Sequence, residues 1–345
     1  MLYGILAATS ALLLTAVLAA LLRAPALRAG IVERRQPDPA RRRRPVPLLG
    51  GVAVLCATCL VAGVGHWTRA APLGDGVGRL LFAGAGVALL GLVADVWRLR
   101  PRVLVAGTAV AAACVVPYDG TGVPAGILAV GWIALVAFAF RALDHADGLA
   151  GTVGVITAFG VGACAAAELM DGLAVLLSVL AAALTGFLMH NWHPARIALG
   201  ACGSLFTGFV LASAAVISRA GHGLGDSAGV LFCLTALGAA DLALVAVSRR
   251  MARRPLLRRG PDHLGHRLRR LGLTPQGTVV LLGIGAFSGV LVGVLAHTGW
   301  AGDGAVLWVA GGALVVVLLL LRIPVYGVRR MASTQVTRQL RVRNG

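Results

Sequence analysis

Apolar runs long enough to cross a lipid bilayer, separated by clusters of Arg, Pro and Asp, constrain this chain more than any other feature. Residues 1–22 carry no charged side chain, and a hydrocarbon core of about 30 Å needs about 20 apolar residues in a helix. Backbone polar groups in lipid must be satisfied within the span, so runs of this length are read as helices. About eleven are legible, near 1–22, 50–66, 80–96, 103–118, 123–140, 149–169, 172–190, 204–219, 227–248, 277–298 and 304–322. The predicted fold is therefore all-α, a polytopic membrane helix bundle with about 11 transmembrane helices. The first run reads as a span rather than a cleaved leader, because it lacks a basic start and exceeds the usual length of a signal core. Abundant Gly and Ala within the runs allow close helix approach.

The formal net charge is +18, from 31 Lys+Arg against 13 Asp+Glu, and every basic residue is Arg. In a soluble protein that excess would suggest nucleic acid. Here it follows the spans: of the loops taken alternately, one set holds 28 of the 31 Arg, in residues 23–49, 97–102, 141–148, 191–203, 249–276 and from 322 onward. The positive-inside rule places these loops and the C-terminus in the cytoplasm and the N-terminus outside. An excess that follows membrane topology needs membrane lipid and no nucleic acid. The chain divides into a membrane domain, 1–322, with site loops on its cytoplasmic side, and a basic cytoplasmic tail, 323–345. The six Cys show no paired metal-ligand spacing and read as packing residues.

Acidic residues are scarce, which makes their placement informative. Asp95, Asp144, Asp147 and Asp241 fall within or at the Arg-rich ends of predicted spans, where an ionised carboxylate is costly unless a cation, a partner or water meets it. Taken singly, each could pair with an interfacial Arg such as Arg98 or Arg141. Several converging on one side, with Gly-rich turns between them, point to a site. A transporter's acids would lie near mid-membrane, whereas these gather at one side.

Four segments sharpen the reading. Arg44 to Gly51, RPVPLLGG, is a rigid turn whose Gly pair lets backbone come close to a ligand or helix. Asp144 to Gly151, DHADGLAG, carries two acids three apart, a spacing that shares one face of a helical turn. Asn191 to Ser204, NWHPARIALGACGS, ends in a small-residue turn suited to holding phosphate on backbone N–H groups. Asp262 to Leu268, DHLGHRL, sets His263 and His266 three apart, so a helix puts both imidazoles on one side, available to a phosphate or a metal.

These segments, with GLVADVWRLRP between the first two, stand in the order and spacing of the polyprenyl-phosphate N-acetylhexosamine-1-phosphate transferases, which the chain resembles from about residue 30 to residue 280. The resemblance implies transfer of a hexosamine-1-phosphate from a UDP-N-acetylhexosamine to undecaprenyl or decaprenyl phosphate. UMP is released, and the reaction starts a cell-envelope glycan at the cytoplasmic face of a bacterial plasma membrane. It implies Mg2+, with Mn2+ as an alternative, held by Asp95, Asp144 and Asp147, which are also the expected catalytic residues. Arg44, Asn191, Gly200, Gly203, Ser204, His263, His266 and Arg267 are expected to bind substrate, and a homodimer is compatible with the pattern. The chemistry is coherent, because a cation held by one or two carboxylates neutralises charge developing on a pyrophosphate. The lipid phosphate is largely ionised near neutral pH, so it needs positioning more than a general base.

The chain also departs from that family's pattern. Ala94 and Asp95 stand where the family has an Asp-Asp pair, and Gly200, Ala201, Cys202, Gly203, Ser204 stand where it has Gly-Asp-x-Gly-Ser. The resemblance makes the acid missing at Ala201 a magnesium ligand. Gly265 stands where a His or Ser is common. Alanine binds no metal, and losing a charged transition-state contact commonly costs several kcal/mol. Two expectations stand side by side: a magnesium site rebuilt around Asp95, Asp144 and Asp147, or a catalytically impaired relative that binds lipid carrier, UDP-sugar or a partner subunit.

Overall fold

The computed structural model describes residues 2–33, 45–97, 99–255 and 260–325, with backbone alone at residues 2 and 75. These residues form α1 (Leu2–Arg28), α2 (Gly50–Trp67), α3 (Gly74–Trp97), α4 (Pro101–Ala113), α5 (Tyr118–Thr121), α6 (Val123–Leu143), α7 (Leu149–Ala167), α8 (Asp171–Asn191), α9 (Gly200–Ser218), α10 (Leu224–Met251), α11 (Leu264–Arg270), α12 (Pro275–His297) and α13 (Asp303–Leu321). Ten are long and apolar enough to cross a membrane. Among the described residues the only β pairing is an isolated bridge between Val32 and Pro47. The expected all-α polytopic bundle is the observed architecture.

The expected span at 103–118 is shorter than its apolar run. α4 stops at Ala113, about 20 Å of helix, because Pro117 and Gly122, the latter at φ +75°, reduce the rest of the run to the single turn of α5. The chain still traverses the bundle. α4 begins near Asp95, whose carboxylate meets Ala201 at the start of α9, and Gly120 beyond it accepts a hydrogen bond from Gly221, past the other end of α9.

α9 is the central helix, with 94% of its span buried, whereas α13 at the periphery has 11% of its span buried. Small residues make that burial feasible. α2 crosses α9 where Gly51 lies on Gly203, and a Cβ on either would collide with the other's backbone, so only glycine fits at the crossing. α1 lies along α8, the Leu12 carbonyl resting over Gly186. The 28 residues of α10 make about 42 Å of helix, longer than a hydrocarbon core of about 30 Å.

Loop contacts define two ends. One joins the starts of α2, α7, α9 and α11 to the ends of α3, α6, α8 and α10. The other joins Leu73 to His66 and Glu168 to His222 and His297. The described parts of the Arg-rich loops all lie at the first end, so the charge asymmetry of the sequence maps onto one face.

Candidate active site

A helix start leaves backbone N–H groups without partners and carries the positive end of the helix dipole. At the start of α9 two carboxylates fill that role. Gly200 N donates to Asp144 Oδ2 at 2.9 Å, while Ala201 N and Cys202 N donate to Asp95 Oδ1 and Oδ2 at 3.0 and 3.1 Å. Gly200 has φ +70°, and a Cβ there would lie 2.7 Å from Asp95 Oδ2 and 2.7 Å from the Leu48 carbonyl, which restricts the position to glycine. The 47–51 segment braces the turn from behind: Gly50 N and Gly51 N donate to the Ala198 and Leu199 carbonyls at 3.0 and 2.9 Å, and Ala198 N donates to the Pro47 carbonyl at 2.8 Å.

In this structure the turn expected to cradle a substrate phosphate meets two of the protein's own carboxylates. The Gly200 amide is engaged by Asp144, Gly203 is packed on Gly51, and the buried Ser204 Oγ donates to the Gly200 carbonyl at 2.5 Å.

Asp144 and Asp147 do not share a helical face. Asp144 is the C-cap of α6, and Gly148, at φ +80°, is the N-cap of α7, so the residues between them turn instead of continuing a helix. Asp147 Oδ2 lies 2.8 Å from His193 Nδ1 and accepts from Ala195 N at 3.3 Å. Asn191, buried at the end of α8, accepts from Gly148 N and donates to the Ile197 carbonyl, both at 2.8 Å. It shapes the two loops. Asp95, Asp144 and Asp147 are all half-buried at the same end.

On the other side of Asp144 lies an imidazole cluster. Asp241, fully buried in α10, accepts from Leu264 N at 2.7 Å and pairs with His263 Nδ1 at 2.8 Å. His145 stacks on His263 and His266, with ring centroids 4.4 and 4.7 Å apart. Its Nδ1 lies 2.8 Å from the Ala142 carbonyl. A carbonyl only accepts, so that nitrogen carries the proton and Nε2 keeps its lone pair. Burial pushes the His145 imidazole down to about 3 and His266 down to about 4, each with a further push from His263. Both rings are neutral near pH 7. His263 is the extended N-cap of α11 and His266 lies within that helix, their ring centroids 6.1 Å apart. Asp241 stands out in the sequence by position alone, with no signal that pairs it with His263. His145, set between two acids, is a functional candidate that the spacing argument does not find.

Arg267 is held among several elements of the fold. Its guanidinium is buried and donates to the Asp262 carbonyl at 3.1 Å, the Leu320 carbonyl at 2.7 Å, the Ile323 carbonyl at 2.8 Å and Ser248 Oγ at 2.6 Å. Asp262 in turn pairs with Arg249 at 2.7 Å. Arg267 thus ties α11 to α10 and to the end of α13. Arg44 and residues 326–345 of the basic tail lie outside the described residues.

The donor sets at this end differ in kind. Asp95 and Asp144 bring oxygen donors to one helical turn, which suits a hard cation, while Asp147 is directed to His193. Among the described residues, the set of three ligand-type side chains whose ligand atoms all lie within 4.8 Å of one another is His145, Asp241 and His263.

Residues 78–219 match the family described as glycosyl transferase family 4. A Streptomyces coelicolor protein whose description goes no further than glycosyltransferase is 67% identical over 334 residues, covering 96% of this chain and 80% of the relative. The decaprenyl-phosphate N-acetylglucosaminephosphotransferase of Mycolicibacterium smegmatis is 29% identical over 321 residues, 81% of this chain and 79% of its own. That of Mycobacterium leprae is 30% identical over 278 residues, 69% of this chain and 70% of its own. The family match includes Asp95, Asp144, Asp147 and the whole of α9.

Proposed function

The chain belongs to the polyprenyl-phosphate N-acetylhexosamine-1-phosphate transferase family, and we propose that it moves a hexosamine-1-phosphate from a UDP-sugar to polyprenyl phosphate at the face bearing Asp95 and Asp144, releasing UMP. One observation carries this reading: carboxylates from the ends of two different helices meet on consecutive amides of α9, at the end that carries the Arg-rich loops. That end faces the cytoplasm, with the N-terminus outside, by the positive-inside rule.

Hydrogen bonds from the amides of α9 fix the direction of both carboxylates. A carboxylate oxygen offers two lone pairs and can serve an amide and a cation together, so Asp95 and Asp144 are the residues that would hold Mg2+ or Mn2+. When bound, such an ion supplies neutralisation of charge on the donor's pyrophosphate. Asp147, oriented by His193 and the Ala195 amide, borders the same face, as do His263 and His266 by way of His145. An oxygen of the lipid phosphate forms a bond to the β-phosphorus of the UDP-sugar while the bridging P–O bond breaks, and its electron pair leaves with UMP. The nucleophile is already ionised, so the chain's task is to position two polyanions. The Arg-rich loops raise the local concentration of both.

A second reading, a relative that binds lipid carrier or UDP-sugar without turnover, is favoured by one observation: Asp95 engages both oxygens with α9 amides, and Ala94 and Ala201 add no donor. Purified protein, labelled UDP-N-acetylhexosamines, polyprenyl phosphate and Mg2+ separate the two. Label entering the organic phase only when lipid phosphate and Mg2+ are both present supports transfer. Saturable binding of polyprenyl phosphate with no label transferred from any UDP-hexosamine supports the second reading and overturns the first.

A further inference from the structure

The ring of His145 is held on three sides. Its centroid lies 4.4 Å from that of His263 and 4.7 Å from that of His266, while those two rings stand 6.1 Å apart and tilted by 43°. Its Nδ1 is fixed at 2.8 Å from the Ala142 carbonyl. On the third side is the backbone of Gly265, in α11. A Cβ at Gly265 would lie 2.9 Å from His145 Nε2, whereas its next neighbours, His145 Cε1 and Thr278 Cγ2, stand at an ordinary 3.7 Å. Position 265 is helical, a conformation that alanine adopts more readily than glycine. The His145 ring is therefore what the glycine makes room for: the loop after α6 puts an imidazole where a side chain of α11 would otherwise sit. An apolar ring would fill that space without leaving a nitrogen unmet. His145 Nε2 is buried with no hydrogen-bond partner among the described residues, a penalty that packing alone does not require.

We propose that His145 is a positioning residue for the UDP-sugar: wedged between His263 and His266, it sets the separation and tilt at which those rings meet the donor, and it locks α11 to the loop carrying Asp144 and Asp147. The proposal rests on the transfer reading, in which both rings border the substrate face. His145 acts through its neighbours, because its own Nε2 is enclosed. Asp144, next to it in the chain, is tied to the first amide of α9 at 2.9 Å. Two consecutive residues thus couple the carboxylate side of the site to the imidazole side, and a donor that touches both is held in one register. A nucleotide-sugar presents flat rings and hydroxyl groups that suit imidazole faces and nitrogens. Polyprenyl phosphate presents one phosphate and a chain that stays in the membrane, so its binding does not depend on the wedge.

The test compares full-length wild type, His145→Ala, Gly265→Ala and the double variant in calorimetric affinity for UDP-N-acetylglucosamine, exchange of labelled UMP, affinity for polyprenyl phosphate and unfolding midpoint. In His145→Ala the donor affinity and the kcat/KM of exchange are expected to fall about 10- to 100-fold, with lipid affinity and midpoint close to wild type. Gly265→Ala, whose added Cβ displaces the ring, loses a similar amount, and the double variant loses no more than His145→Ala, since both changes act through one ring. Should His145→Ala fail to fold, Gly265→Ala decides alone. Donor affinity equal to wild type in the single variants, losses that multiply in the double variant, or lipid binding weakened as much as donor binding overturns the proposal. A wild type that binds donor without exchange ends the transfer reading alone, and the four donor affinities then decide; a wild type that binds no donor overturns both.

Discussion

Asp144 and His145 are adjacent in the chain and belong to opposite kinds of environment. The carboxylate of Asp144 joins Asp95 on the first turn of α9, where three successive amides are matched by carboxylate oxygens. The ring of His145 joins Asp241, His263 and His266, where two buried nitrogens have no partner. The first cluster is satisfied by backbone and so contributes to the fold whether or not a ligand is present. The second leaves two buried nitrogens without a partner among the described residues. The two should therefore respond differently to substitution, the carboxylate cradle losing more stability than the imidazole cluster.

The largest effect is expected from Asp95→Ala, which removes the acceptors of two α9 amides. Two unmet donors and a lost helix cap cost about 2–3 kcal/mol, read as a lowered unfolding midpoint in detergent. Asp95→Asn keeps one acceptor oxygen and should lose about half as much. A wild-type midpoint for Asp95→Ala would show that the cradle does not support the fold. Gly200→Ala comes next, with a cost of about 1–2 kcal/mol from its positive φ and the added contact with Asp95 Oδ2 and the Leu48 carbonyl. Stability unchanged in Gly200→Ala would mean that the turn is looser than its geometry indicates.

On the imidazole side the effects shrink. Asp241→Asn keeps an acceptor for Leu264 N but loses the charge facing His263, for about 1 kcal/mol of stability. His145→Ala surrenders one hydrogen bond to a carbonyl and removes an orphan nitrogen, so its midpoint should stay within about 1 kcal/mol of wild type. A fall in His145→Ala as deep as that of Asp95→Ala would erase the contrast between the clusters.

The spans were legible because a bilayer demands length and apolarity together, and ten long helices fall where those runs fall. α4 was less legible, since apolar residues continue past Ala113 to Val116 while Pro117 and Gly122 decide where helix can persist. The site was legible as a set of segments rather than as a set of contacts. Spacing alone put Asp144 and Asp147 on one face, but the turn through Gly148 sends them to Gly200 and His193 respectively. Nothing in the sequence says that Asp95, 106 residues from Ala201, meets the α9 turn. The contacts of Arg267 with Ser248, Asp262, Leu320 and Ile323 were not legible, because most are to backbone carbonyls that carry no sequence signature.

The central claim, that Asp95 and Asp144 form the working face of a transferase, is tested most directly by exchange of labelled UMP into UDP-N-acetylglucosamine in the presence of polyprenyl phosphate, with wild type measured beside Asp144→Asn. The variant keeps the shape and an acceptor for the Gly200 amide while removing the charge. The account predicts Mg2+-dependent exchange by wild type and a fall of about 100- to 1,000-fold in the variant, the usual scale for losing one electrostatic contact to the transition state. Equal exchange by the two proteins, or exchange that proceeds without a divalent cation, would contradict it.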